Sequence, residues 1–297
     1  MDRLDLTTLR LFRIVAEQSN IARAADVAHL AASAISKRIS DLERDLDVVL
    51  LERRRNGVAL TPAGQALLAH VRSIDDLTER LSAELSIFAS GAKGLVRVAA
   101  NPSSITQFLP PVLARFNARH PQIRIELLEE MSGRTVQLVS DRAVDIGIVA
   151  DSVGFADLEA YDFRRDKLAM LMPQGHPLER RRKLSFADTL DHSQVGLAEG
   201  SSIQGMLIAE ARAAGKSLDL IARVASFDAL RGLVAERIGI ACLPVGCIKP
   251  FLAAQRLSMV PLSDPWADRQ LKVCIKPGAR SEPVTRFLME LGVQPGR

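Results

Sequence analysis

Residues 20 to 64 constrain this chain most. Their apolar spacing and turn signals fit two short helices, a tight turn and a basic hairpin. Asn20 suits a helix N-cap, and the helix behind it has an inward face of Ile21, Ala24, Ala25 and Ala28, spaced i, i+3, i+4, i+7. A second helix is expected over 32–46, with Ile35, Ile39, Leu42 and Leu46 on one stripe. At about 100° per residue, Ser33, Lys37, Ser40 and Arg44 fall on the opposite face. That face is short, polar and positive, as reading a DNA major groove requires. Arg53, Arg54 and Arg55 then lead into Asn56 and Gly57, a two-residue turn signal, with Val58, Ala59 and Leu60 as the returning strand. Three arginines at a hairpin tip suit a wing laid against phosphates or the minor groove. A solvated turn can carry such a run too, but the helix pair before it favours DNA contact.

The stretch from Leu9 to Gly64 resembles the winged helix-turn-helix of LysR-type transcriptional regulators. The resemblance rests on Leu9-Arg10-Leu11-Phe12, Ala24-Ala25, Ala34-Ile35-Ser36-Lys37-Arg38-Ile39, Leu42-Glu43 and Leu60-Thr61-Pro62-Ala63-Gly64. It implies DNA contacts from Ser33, Ser36, Lys37, Arg38 and Ser40, and from Arg53, Arg54 and Arg55. One departure matters. The family's usual Ser and Gln at the start of the recognition helix are Ala31 and Ala32 here. Alanine cannot cap, which costs about 1 kcal/mol relative to serine. It also removes a side chain placed to read a base edge, leaving weak or apolar contacts such as one to a thymine methyl. The family's usual operator preference therefore does not carry over.

The 297 residues call for two or more domains, and 47% hydrophobic residues suffice for substantial cores. No apolar run approaches a membrane span, and the acidic start lacks a signal-peptide core, so a cytoplasmic protein without a membrane partner is expected. Three cysteines, Cys242, Cys247 and Cys274, fit a reducing compartment. Cys242 and Cys247 read either as two buried apolar thiols, the favoured option, or as a redox pair. The formal charge is +4, yet residues 1–92 carry 12 basic against 13 acidic residues. Bulk charge thus says nothing for DNA binding, and the case rests on where the cations stand.

Leu9, Phe12, Val15 and Ala16 suggest a first helix beneath the other two. After Pro62, Leu67, Val71, Ile74, Thr78, Leu81, Leu85 and Phe88 keep a 4-3-4-3-4-3 spacing, a coiled-coil seam ended by Gly91 and Gly94. The seam either dimerises the chain or packs on its own next domain. Dimerisation is preferred because two-fold operators need two recognition helices. From Leu95 the pattern alternates between strand and helix. Strands are expected at 95–100, 123–128, 145–150, 195–197, 219–224, 240–243 and 271–275. Helices are expected at 109–116, 136–139, 203–214, 229–237 and 284–291. A mostly parallel sheet follows.

Two such units resemble the periplasmic-binding-protein-like effector half of the same family. The resemblance implies an α/β chain with an N-terminal winged helix-turn-helix over 1–64, a long linker and dimerisation helix over 65–92, and a two-lobed effector domain over 93–297. Lobe I would span about 93–165 and 270–297, and lobe II about 166–269, with crossings near 165–167 and 268–270.

Open α/β sheets bind ligands at the carboxyl ends of their strands. Three strand-to-helix loops qualify: Asn101-Pro102-Ser103-Ser104, Gly200-Ser201-Ser202 and Ser226-Phe227-Asp228. Their hydroxyls and free N–H groups suit a carboxylate or another small anion, and each serine could equally be a helix cap. The resemblance supports Ser103 and Ser202, with Ser132, Val149 and Phe227 as further cleft walls. Arg134 could pair with an anion or lie on the surface. Five scattered histidines show no metal spacing, and no nucleophile elbow, Walker loop or dinucleotide fingerprint is present. The expectation is a one-component, non-enzymatic regulator of promoter DNA with a small-molecule effector and no cofactor. It would dimerise through the linker helix, assemble as a tetramer and contact RNA polymerase when activating. An α/β enzyme or a solute-binding module without DNA function is the alternative.

Overall fold

Caps and close approaches set the local structure of the N-terminal part. A computed structural model describes residues 4–54, 57–89, 94–278 and 280–294, with no account of the side chains of 53, 76, 79, 80 and 82–89. The chain divides into two units, Met1–Ser86 and Ile87–Arg297. In the first, α1 (Leu6–Gln18) is capped by Asp5, whose carboxylate accepts the Thr8 N–H at 2.9 Å. α2 (Ile21–Ala28) is capped by Asn20, which accepts from the N–H groups of Ala22 and Arg23 at 2.9 and 3.1 Å. It ends at His29 in the left-handed region, φ 53°, with the Leu30 N–H on the Ala25 carbonyl. α3 (Ala32–Leu46) starts at Ala31 with no side-chain cap. β1 (Leu51–Arg54) and β2 (Gly57–Leu60) pair antiparallel, Leu51 opposite Leu60 and Arg54 opposite Gly57. α4 (Pro62–Ala89) follows. Arg55, Asn56 and Gly91 lie outside the described residues.

Contacts explain the motif residues. The Glu43 carboxylate accepts the N–H groups of Leu50 and Leu51 at 2.8 and 3.0 Å, fastening the hairpin to α3. The Thr61 hydroxyl donates to the Val49 carbonyl at 2.7 Å and accepts the Gly64 N–H at 3.0 Å, capping α4. A Cβ on Gly64 would stand 2.2 Å from the Leu50 carbonyl oxygen, so only glycine fits there. Gly57 has φ +143° and lies against the Ser19 carbonyl, which accepts the Val58 N–H at 2.9 Å. Phe12, Val15, Ala24, Ile35, Ile39, Leu42, Leu50 and Val71 form the core.

The helical seam divides into two parts. Val71 is buried in this core and Leu67 and Ile74 pack on it, while Asp75 pairs with Arg10 and Arg13 at 3.2 and 2.8 Å. The first half of the seam is thus spent inside the chain's own N-terminal unit. Further along, the seam residue Leu81 is 57% exposed, and Leu77, one turn before it and off the expected seam, is 63% exposed. The side chains of Leu85 and Phe88 lie outside the described residues.

The second unit runs β3 (Gly94–Ala100), α5 (Pro102–Gln107), α6 (Leu109–Arg119), β4 (Ile123–Glu129), α7 (Ser132–Ser140), β5 (Ile146–Ala150), β6 (Glu159–Pro173), β7 (Gln194–Leu197), α8 (Ser202–Ala213), β8 (Leu220–Val224), α9 (Phe227–Ala235), β9 (Ala241–Pro244), α10 (Val245–Ile248), β10 (Leu257–Pro261), β11 (Asp268–Ile275) and α11 (Glu282–Leu291). The main sheet has the order β10-β6-β11-β5-β3-β4, with β9 also on β6, and β7 pairs β8 apart from it. The sheet is mixed rather than mostly parallel. β3 is parallel to β4 and β5, but β11 is antiparallel to β5 and β6, and β6 to β9 and β10. The reason is the long strand β6, which local patterning did not reveal. Its first part pairs with β11 and its last six residues with β9 and β10. Residues 165–167 and 268–270 lie side by side in that pairing. A bulge at Phe163, between Leu271 and Lys272 of the partner strand, bends the strand there.

One core, with Val96, Val98, Ile146, Ile148, Phe116 and Phe287, lies under β3, β5 and β11. Another, with Leu168 to Met172, Leu207, Leu230, Val234 and Leu243, lies around the far end of β6. Among the described residues no helix is long and apolar enough to cross a membrane.

Candidate functional site

The first candidate is the outer face of α3 with the hairpin beside it. Ser33, Lys37, Ser40 and Arg44 are exposed, opposite the buried Ile35, Ile39 and Leu42, and Ser36 is half-buried. Arg44 is drawn to Asp41 at 2.6 Å. The Arg38 guanidinium donates to the Thr8 hydroxyl at 3.1 Å with Asp5 at 3.8 Å. It therefore ties α3 to the start of α1 while remaining half exposed, and it shares a surface groove with Lys37. The Thr8 contacts also keep the Asp5 carboxyl below its ordinary value. Arg54 is exposed on β1; the Arg53 side chain and all of Arg55 lie outside the described residues. The start of α3 is apolar and open: Val27 and Leu30 are 54% and 46% exposed, and Ala31, Ala32 and Ala34 are exposed as well.

The second candidate is a cleft in the C-terminal unit, where the carboxyl ends of β3 and β4 face the starts of α8 and α9. Asn101, Ser103, Ser132, Ser201, Ser202 and Phe227 line it together with Pro102, Met131, Leu197, Ile203 and Ala225. Three loops distant in sequence are thus brought together. The cavity between them is only about 20 Å3, room for little more than a water and far below the roughly 300–1,000 Å3 of formed ligand sites, so an effector must widen it.

The capping reading holds for some residues and not for others. Asn101 accepts the Ser104 N–H at 2.9 Å, Ser201 the Gln204 N–H at 3.4 Å, and Ser226 the Ala229 N–H at 3.1 Å, so these three cap helices. Ser103 instead accepts from Arg269 at 3.3 Å, and the Ser132 hydroxyl accepts the Ala150 N–H at 3.2 Å. The Asn101 Nδ2 is buried with no partner among the described residues. Two named residues are not at the cleft. Val149 is fully buried with Ala99, Leu138, Val139 and Cys274, because alternation along β5 turns it to the α7 side. Ser104 is fully buried and lines no part of the cleft. Arg134 is a surface side chain bonded to Gln137 at 3.0 Å.

Among the described residues no charged side chain lines the cleft. Behind Ser103 stand Asp166 and Arg269, opposite each other on β6 and β11, paired and with side chains 0% and 2% exposed. Gln107 donates to Asp166 at 3.3 Å. One guanidinium nitrogen, Arg269 Nη1, is buried without a partner. Sequence gave no sign of this pair, since 103 residues separate its members. The three thiols are free and buried, and burial pushes each up to about 12. They are buried packing groups held in the thiol form.

Comparisons with known proteins agree in placing the chain. A model described as bacterial regulatory helix-turn-helix protein, lysR family, matches residues 6–65, and one described as LysR substrate binding domain matches 89–293. A probable RuBisCO transcriptional regulator from Trieres chinensis is 28% identical, with 96% of each chain covered. An SDS degradation transcriptional activation protein from Pseudomonas sp. (strain ATCC 19151) is 30% identical, covering 87% of this chain and 85% of the relative. In fold, the chain is similar to CbnR, a LysR family transcriptional regulator solved alone and with its target DNA. The TM-score is 0.71 for both at 21% identity, covering 97% of this chain and 98% and 99% of theirs.

Proposed function

Because the chain belongs to the LysR family of DNA-binding transcriptional regulators, we propose that α3 enters the major groove of promoter DNA with Lys37 leading and that Arg54 grips the adjacent backbone. The observation that carries this reading is the exposed polar face of Ser33, Lys37 and Ser40 beside the β1–β2 hairpin, on one small rigid unit. CbnR bound to its target DNA supports the same use of the fold.

The cleft between the strand ends takes the small effector. Its lining favours a ligand with an apolar body and one or two hydrogen-bond acceptors, met by Asn101 Nδ2 and the serine hydroxyls. A carboxylate would be held by these donors and the start of α8, without a counter-charge. The protein acts by binding and not by turnover, works in the cytoplasm where promoters are, and dimerises through the part of α4 that carries the exposed Leu77 and Leu81. Pairs of dimers then span a promoter and meet RNA polymerase where they activate. Effector occupancy shifts the lobes, with a coupling of about 1–3 kcal/mol, or 5- to 150-fold.

Sequencing chromosomal fragments retained by the purified protein tests the DNA function. Enrichment of a few promoter regions, with affinity falling steeply in salt, is expected. Retention of bulk DNA without enrichment would overturn it.

A further inference from the structure

We infer that this regulator reads thymine C5-methyl groups through the apolar start of α3, with Ala32 and Leu30 as specificity-determining residues. The inference rests on the proposed DNA-reading role of α3 and adds which base it selects. A recognition helix meets base edges mainly with its N-terminal residues. Here the helix opens at Ala32, behind the cap residue Ala31 and the turn residue Leu30, none of the three with a polar side-chain atom and all exposed. Leu30 is 46% exposed and Val27, at the end of α2, 54%. An apolar edge of this kind costs free energy when left in water, and none of the described residues of the N-terminal unit covers it. The turn also holds it rigidly. His29 sits in the left-handed region, and the Leu30 N–H is fixed on the Ala25 carbonyl at 3.0 Å.

The occupant follows from what flanks the edge. Ser33 follows Ala32 in the chain, and Lys37 and Ser40 continue the face of Ser33 one and two turns along the same helix. They offer charge and hydroxyls suited to a polyanion with polar base edges. An apolar protein partner would leave those groups unpaired. On the floor of the major groove, only the thymine methyl is apolar. Ala32 has one carbon to present, so its partner must be a small projecting group, which a methyl is.

The test compares duplexes. A randomised double-stranded library is selected on the full-length protein, and the enriched duplex is remade with deoxyuridine for thymine, one position at a time. Uracil pairs as thymine does and lacks only the methyl. Burying one methyl corresponds to about a fourfold gain in affinity. Wild type should therefore lose roughly fourfold at one or two thymines per half-site. Ala32→Gly should bind thymine and uracil duplexes alike at the thymine facing α3, and Leu30→Ser should do so at its neighbour. Thermal melting confirms that the variants fold, which solvent exposure of both sites favours. Equal binding of wild type to all uracil-substituted duplexes overturns the inference and leaves the DNA function standing. A library from which no duplex is enriched removes the DNA function itself, and the inference with it.

Discussion

Lys37 and Arg54 are both exposed cations of the DNA-binding unit, yet their surroundings assign them different work. Lys37 projects from the second turn of α3, within the N-terminal part that reaches base edges in the groove. Arg54 sits on the hairpin, where the chain would lie along the backbone. Arg54→Ala should weaken binding about equally on all sequences and reduce the salt slope by about one, which titration at several salt concentrations would measure. Lys37→Ala should instead change which operators are preferred, seen as a ranking change across single-base variants. Ala31 carries a second residue-scale consequence. Its side chain leaves the first turn of α3 uncapped, so Ala31→Ser should stabilise the protein by about 1 kcal/mol in urea titration. No gain would mean that the first-turn N–H groups already have solvent partners of equal worth.

At the scale of elements, α4 carries two kinds of surface. Val71 and its neighbours belong to the winged-helix core, whereas Leu77 and Leu81 face outward one turn apart. Substituting both with glutamate puts two charges where a partner helix would bury them, a costly change unless they are paired. The expected outcome is a monomer by sedimentation, weak operator binding and an unchanged far-ultraviolet spectrum. An unaltered oligomer would move the interface elsewhere. The helix pair and hairpin were legible in the sequence because their determinants are local: caps, periodic apolar stripes and a two-residue turn. The inward half of the α4 stripe was not, since a 4-3 repeat serves a dimer seam and an intramolecular contact alike. Strand β6 escaped notice because its first nine residues, six of them charged, are mostly exposed or half-buried with no regular alternation, and its last six are all buried. No single period describes both.

At the scale of the whole C-terminal unit, the Asp166–Arg269 pair joins the two strands that run between its cores. Removing one member of such a pair leaves a buried charge without compensation, at a cost of about 3–5 kcal/mol. Arg269→Met should lower stability on that scale, and adding Asp166→Leu should recover much of it, giving a strong coupling in a double-mutant cycle. A near-zero coupling would show that water, not the partner, neutralises the charge. Ser103 joins this pair to the cleft through its bond to Arg269. With an identified effector, Ser103→Ala and Ser202→Ala should each weaken binding by about 1–3 kcal/mol in calorimetry, leaving effector-free DNA binding intact. Unchanged affinity in both would place the ligand outside this cleft.

The sequence by itself determined what rests on near neighbours. Asn20, Thr61, Gly57 and Gly64 fix caps and close approaches within one motif, and the α/β alternation fixes most elements of the C-terminal unit. It also pointed to the loops that hold Ser103, Ser202 and Phe227, because each joins a strand to a helix, while Ser132 came from the family resemblance. Tertiary structure alone decided three further matters. Val149 faces the core and not the cleft, which depends on which side of β5 the α7 helix covers. Arg38 turns to Thr8 and Asp5, which depends on where α1 begins against α3. Arg269 and Asp166 meet because two strands distant in sequence pair in antiparallel register. Such choices are made by long-range packing and pairing, and no local period or motif records them.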